Sequence, residues 1–293
     1  MEGVPVVFAP RPAFSVPLPR GLRLELGART LVMGILNVTP DSFAGGVTEP
    51  DLAADLALQL EADGADIIDI GGESTRPGAD PLSAADEMAR VLPVVERLRG
   101  RLRAPLSIDT YKAEVASAAL SAGASIVNDI SGLGYDPNLG DVVARAGAGL
   151  VLMHTRGRSR EMYREADYDD VTGEVSAELQ EALQRAGRAG VPCEQIILDP
   201  GVGFAKRAQH SRAVLADLAA LARLERPLLV GPSRKSFLAE GPAPLPPADR
   251  DWGTAAAVTV SVMGGAHIVR VHNVAAMVRV VRVADALRAA ACA

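Results

Sequence analysis

The chain has 293 residues, 48% hydrophobic and 23% charged, which is enough apolar material for one large core and does not call for a second independent one. A formal net charge of -6 excludes a global positive field that would draw nucleic acid or anionic lipid, so any anion must be caught by a local basic cluster. Cys193 and Cys292 have neither metal-ligand nor framework spacing, no apolar run is long enough to span a bilayer, and the amino terminus does not read as a secretory leader; these features predict a cytoplasmic protein with reduced thiols.

From the start of the chain, residues 4–20 are rich in proline, and for the first dozen residues a frayed tail and a packed extension are both open readings. Residues 22–30 alternate apolar and polar side chains, which predicts a short hairpin closing one end of the core. Strands are then expected at 31–37, 67–71, 106–109, 126–129, 150–154, 196–199, 228–231 and 268–271. Between them, 51–63, 84–99, 113–122, 175–189 and 274–288 carry apolar residues at three- and four-residue spacing and read as crossover helices. The strands are nearly continuous apolar runs, as in a parallel sheet buried on both faces. The fold class predicted is therefore α/β, a (β/α)8 TIM barrel over 31–293 behind an N-terminal extension over 1–30. An open doubly wound sheet is the rival; it needs fewer strands and one crevice, whereas polar residues here end almost every strand. The long connections 38–50, 73–83 and 232–251 are expected to arch over the active face.

Those strand ends carry the chemistry. Asn37 ends the first strand, Asp109 the third, Asn128 and Asp129 the fourth, His154 the fifth and Asp199 the sixth; Lys235 follows the seventh, and Arg270 and His272 close the eighth. Any one of them alone reads as readily as a cap or turn residue. Together on one rim they point to a single small-molecule site.

Arg270 and His272 are two apart on a strand and project to the same side, beside a helix start at 273–276 that favours an anion. Arg76, on a Glu-Ser-Thr-Arg-Pro-Gly loop, would add a second guanidinium, with a solvated loop charge as its other reading. A planar guanidine-like edge needs a carboxylate that accepts two hydrogen bonds, which Asp199 can supply. Lys235 can donate to a ring carbonyl, and Asp109 with Asn128 can complete the pattern. The other reading of Asp199 and Lys235 is a buried ion pair, and that of His154 is a packed or capping histidine.

Segments 33–43 (Met-Gly-Ile-Leu-Asn-Val-Thr-Pro-Asp-Ser-Phe), 71–78 (Gly-Gly-Glu-Ser-Thr-Arg-Pro-Gly), 199–204 (Asp-Pro-Gly-Val-Gly-Phe), 233–236 (Ser-Arg-Lys-Ser) and 270–272 (Arg-Val-His) together resemble the dihydropteroate synthases. The resemblance implies a transferase of folate biosynthesis. It would condense 6-hydroxymethyl-7,8-dihydropterin diphosphate with 4-aminobenzoate, giving 7,8-dihydropteroate and diphosphate, with Mg2+ as cofactor and a homodimer as the assembly. By the same resemblance Asp109, Asn128, Asp199 and Lys235 would hold the pterin, and Thr75, Arg270 and His272, helped by Arg76, would contact the diphosphate. Asn37 would help place the metal, and Phe43, Pro77, Phe204 and Ser236 would shape the aminobenzoate pocket. Lys235, Arg270 and His272 would carry the catalytic roles.

Two departures from the family pattern stand out. Ala44-Gly45-Gly46 follows Phe43 where Ser-Asp-Gly-Gly is usual, and Asn273 stands where an aspartate usually follows the histidine. The second change removes a negative charge beside the anion site and is expected to be tolerated. A pterin-dependent methyltransferase barrel and a noncatalytic pterin-binding homologue are the alternative functions, but neither gives the diphosphate-binding cations a catalytic use.

Overall fold

The hairpin expected near the amino terminus is formed by β1 (Phe14–Pro17) and β2 (Arg23–Leu26), antiparallel with Phe14 opposite Leu26. The structure, a computed structural model, describes residues 8–39, 47–76, 78–158, 160–164, 166–239 and 245–291. Within them the start of the chain is docked and not frayed: Ala9 N donates to Met263 O, and the Arg11 guanidinium reaches Gly27 O and Asp285.

Eight parallel strands follow, β3 (Leu31–Asn37), β4 (Ile67–Gly71), β5 (Leu106–Asp109), β6 (Ile126–Asp129), β7 (Gly149–Met153), β8 (Ile196–Asp199), β9 (Leu229–Val230) and β10 (Ile268–Val271). They pair in the order β8-β7-β6-β5-β4-β3-β10-β9. Leu198 N donates to Pro227 O at 2.9 Å and Leu198 bridges Leu228, which brings β8 back to the run entering β9 and closes the barrel.

The helices are α1 (Pro50–Ala62), α2 (Ala84–Leu98), α3 (Ala113–Ala122), α4 (Leu139–Ala146), α5 (Val171–Arg188), α6 (Ala208–Ala216), α7 (Asp251–Met263) and α8 (Val274–Ala291). Local chemistry sets their starts. Pro50 opens α1 behind Glu49, whose carboxylate accepts from Leu52 N, and the Ser83 hydroxyl accepts from Asp86 N at the start of α2. The sequence pattern does not flag α4, α6 or α7. The first two are short, and α7 is a run of alanine, valine, threonine and serine with a poor apolar stripe.

The period of two along each strand divides the interior in two. Outward residues such as Val32, Ile68, Ile108, Val127, Leu152, Leu198, Val230 and Val269 pack under the helices as the main core. Inward residues near the amino ends, Met33, Ile67, Ile126, Val151, Ile197, Leu229 and Ile268, meet Val16, Leu18, Leu24 and Leu26 of the hairpin, so the hairpin plugs the bottom. One step further along, the inward positions become Asp69, Asp109, Asn128, Asp199 and Arg270. Their polar layer lies at the carboxyl ends, where this fold places its ligands.

Candidate active site

Above that layer opens a cavity of about 420 Å³. Its wall includes Asn37, Thr75, Arg76, Asp109, Phe204, Lys235, Ser236, Arg270 and His272, so nine of the residues picked out in the sequence meet in one place. Asn128 and Asp199 lie beneath it, 4% and 5% exposed. Gly231 lines the cavity, and a Cβ on it would stand 3.9 Å from Asp199 Oδ2; a side chain there would sit between the cavity and the carboxylate. Phe43, Pro77 and the Ala44-Gly45-Gly46 segment lie outside the described residues.

The floor is organised by Asp69, which the strand-end reading passed over. Its Oδ2 accepts from Arg270 Nε at 2.6 Å and from Asn128 Nδ2 at 2.9 Å, while Arg270 Nη2 donates to Asp109 Oδ2 at 2.6 Å. One guanidinium is thus shared by two carboxylates from neighbouring strands, and Nη1 is left without a partner among the described residues. Burial works against the Arg270 charge, but Asp69 and Asp109 outweigh it and raise its pKa. Burial also raises the pKa of Asp109, with Arg270 opposing and Asp69 adding to the effect. The signal for Asp69 was a lone charge inside the apolar strand Ile-Ile-Asp-Ile-Gly, a position that is stable only when paired.

Asp199 and Lys235 do not form a direct ion pair. Asp199 Oδ1 accepts from Gly201 N at 2.7 Å, and burial pushes the carboxyl pKa up to about 6. Lys235 Nζ lies 3.6 Å from the centroid of the Phe204 ring, a cation–π contact, and burial followed by Arg270 lowers its pKa to about 7. The loop carrying Phe204 is held from behind by Lys206, whose Nζ donates to Gly201 O at 3.1 Å and Phe204 O at 3.2 Å. Only glycine fits at 201, where φ is +64° and a Cβ would meet His154 O at 2.0 Å.

His154 belongs to this support and not to the cavity wall. Its Nδ1 faces Lys206 Nζ at 2.7 Å and its Nε2 faces Glu178 at 2.9 Å, so the packed-histidine reading holds. Asp129 likewise turns away from the cavity, accepting from Ser131 N and Leu133 N. On the opposite rim Arg270 and His272 face the cavity while Val271 is buried, as their spacing required. Burial, then Arg270, Arg234, Lys235 and Arg76, push the His272 pKa down to about 3, so its ring is neutral.

Asn273 is explained by its neighbours. Its Oδ1 accepts from Ala276 N at 3.2 Å at the start of α8, and its Nδ2 donates at 2.9 Å to Asp251 Oδ2, which also accepts from Arg234 Nη2 at 3.1 Å. An aspartate at 273 would face the Asp251 carboxylate with two acceptors and no proton. We therefore predict that Asn273→Asp costs about 1–3 kcal/mol, and that adding Asp251→Asn recovers part of the loss. Denaturant unfolding of the two single variants and the double variant measures this coupling, and strictly additive losses would reject it.

Asn37 offers an oxygen donor on the cavity wall, but among the described residues no three His, Cys, Asp or Glu side chains converge to hold a metal. That donor set suits a magnesium ion that keeps waters and takes its remaining ligands from a phosphate group, not an ion caged by protein alone.

A sequence profile described as pterin binding enzyme matches residues 33–272. A dihydropteroate synthase from Synechocystis is 48% identical over 277 residues, covering 94% of this chain and 96% of the relative. The chain belongs to the dihydropteroate synthase family. Among solved structures of the family, the Yersinia pestis synthase in complex with a sulfonamide drug superposes with a TM-score of 0.89 at 41% identity, over 94% of this chain and 100% of that one. The Burkholderia cenocepacia synthase complexed with 7,8-dihydropteroate does so with a TM-score of 0.86 at 43% identity, over 97% and 99%. In this dihydropteroate synthase homologue the match runs through both the polar floor and the cationic rim.

Proposed function

We infer that this chain condenses 6-hydroxymethyl-7,8-dihydropterin diphosphate with 4-aminobenzoate to give 7,8-dihydropteroate and diphosphate, a transferase step of folate biosynthesis. The observation that carries the reading is the stacking of two chemistries along one axis. A donor–acceptor floor of buried Asp69, Asn128 and Asp199 with half-buried Asp109 suits a flat heterocycle, and a rim with Arg76, Arg270 and His272 suits an anion.

The pterin's guanidine-like edge would take Asp199, its ring carbonyl Lys235, and its remaining edge Asp109 and Asn128. Where the ring takes over the acceptor that Asp109 now offers Arg270, Nη2 joins Nη1 in facing the diphosphate. As the exocyclic C–O bond breaks, the electron pair leaves with the diphosphate and is stabilised by donors on Arg270 and His272. The pterin ring delocalises the positive charge left on carbon. The aromatic amine is neutral near pH 7, forms the new C–N bond to that carbon and then loses its proton to solvent, so no residue is assigned as a general base. A magnesium ion held by Asn37 and the diphosphate would add charge stabilisation of the leaving group. Phe204 and Ser236, both on the cavity wall, would shape the aminobenzoate pocket together with Phe43 and Pro77.

The assembly proposed is a homodimer through α7 and α8, which pack side by side and expose Trp252 (88%), Val283 (61%) and Leu287 (55%). A monomeric mass in solution would remove that part of the reading. A cytoplasmic setting is supported by sparse cysteine, with Cys193 unpaired and exposed, and no helix among the described residues is long and apolar enough to cross a membrane. With Mg2+ present, the purified protein is expected to form dihydropteroate and diphosphate in equal amounts from the two substrates. Tight binding of the pterin diphosphate without turnover would favour the noncatalytic homologue instead.

A further inference from the structure

Ser233 lines the cavity beside His272 and meets it twice. Its Oγ accepts from the His272 backbone N–H at 3.1 Å and lies 2.9 Å from the ring Nδ1. The serine is buried, and its place is fixed by the following turn, where Arg234 adopts a φ of 58° and donates its N–H to Thr254 Oγ1 at 3.0 Å.

A hydroxyl has one proton to give. Among the described residues Ser233 Oγ has no acceptor in reach other than Nδ1. If the ring carried its proton on Nδ1, two N–H donors would converge on Oγ, and the serine proton, with no acceptor among the described residues, would be left to the solvent of the cavity that Ser233 also lines. The net loss of the serine-to-imidazole hydrogen bond disfavours that tautomer by up to about tenfold. With the serine donating to Nδ1, the ring proton lies on Nε2, the nitrogen left to face the cavity.

We propose that Ser233 is a positioning residue that locks His272 as the Nε2–H tautomer, so that the imidazole presents a donor to the anion in the cavity. The alternative tautomer would aim a bare lone pair at phosphoryl oxygens and repel them. Because the ring is neutral at working pH, its tautomer and not its charge decides whether it attracts or repels. The identity of the anion as diphosphate rests on the function inferred above; the tautomer does not.

The test uses the full chain labelled with 15N-histidine, which gives four ring systems to resolve: His154, His210, His267 and His272. His272→Gln assigns the signal. The expected spectrum has the His272 proton on Nε2, and inorganic diphosphate perturbs that nitrogen. In Ser233→Ala the ring is expected to become a tautomer mixture, with diphosphate affinity falling about tenfold while affinity for a pterin lacking the diphosphate is kept. Ser233→Thr, which retains the hydroxyl, is expected to restore both. A proton on Nδ1 in the wild-type chain overturns the proposal, and so does an unchanged tautomer in a folded Ser233→Ala protein. Because the spectra need no turnover, loss of the synthase reading would leave them interpretable, and the wild-type spectrum decides even if the alanine variant fails to fold.

Discussion

Arg270→Ala is expected to lower kcat/KM for the condensation by about 10²–10³-fold, roughly 3–4 kcal/mol, the range found when a donor to a developing negative charge is removed. The same change should destabilise the fold, because Asp69 and Asp109 share this guanidinium at 2.6 Å each. Removing one partner of a buried charge pair typically costs about 3–5 kcal/mol. Part of that cost is escaped by protonation, and its pH dependence has a definite sign. Without Arg270 the two carboxylates repel with nothing between them, so the pKa of Asp109, already raised by burial, moves further up. The folded variant then holds a proton that the unfolded chain has released, and the stability deficit is smaller at pH 6 than at pH 8. Arg270→Lys restores one charge but not the fork that spans both carboxylates, so it should recover stability more fully than turnover. Steady-state kinetics and denaturant unfolding at the two pH values separate these effects. Unchanged turnover in the alanine variant would take Arg270 out of the anion site.

The sequence exposed the site's corners better than its floor. Asn37, Asp109, Asp199 and Arg270 were legible because each ends or closes an apolar run, and closing a barrel brings all strand ends together whatever the helices do. Asp69 was missed for the opposite reason. It lies mid-strand, where a search for strand-end polar residues does not look, and its importance depends on Arg270, 201 residues away in the chain. Of the Lys206–His154–Glu178 support only His154 was legible, as a strand end with a packed reading; Lys206 and Glu178 come from a separate connection and helix and carry no local signal. Helix α7 escaped because its alanine- and valine-rich run has little amphipathic contrast, so packing and not propensity makes it helical. Asn273 could be seen as a departure but not explained, because its partner Asp251 lies at the start of that same unflagged helix.

Asp199→Asn is expected to weaken binding of the pterin diphosphate by about 10²-fold or more, through the loss of a charge-assisted bidentate contact worth several kcal/mol. The substitution keeps the shape of the side chain but turns one acceptor into a donor. With Oδ1 already accepting from Gly201 N at 2.7 Å, the new amide nitrogen would occupy the Oδ2 position and meet a ring N–H with its own. The wild-type protein should also lose affinity as pH falls through about 6, because its buried carboxyl takes up a proton there and binding requires the anion. The variant should be flat over that range. Stability moves the other way. A carboxyl whose folded pKa of about 6 exceeds its unfolded value of about 3.9 binds protons preferentially in the native state between those values. Its burial therefore weakens the fold increasingly as pH rises toward 6, and the full penalty, on the order of 3 kcal/mol, is present above it. Asp199→Asn removes that penalty, so at pH 8 the variant should unfold at a higher denaturant concentration than the wild type while binding substrate worse. Equal calorimetric affinity for the pterin diphosphate would remove Asp199 from the contact. A variant weaker in both respects would mean that the carboxylate supports the Gly201 turn more than it is strained by burial.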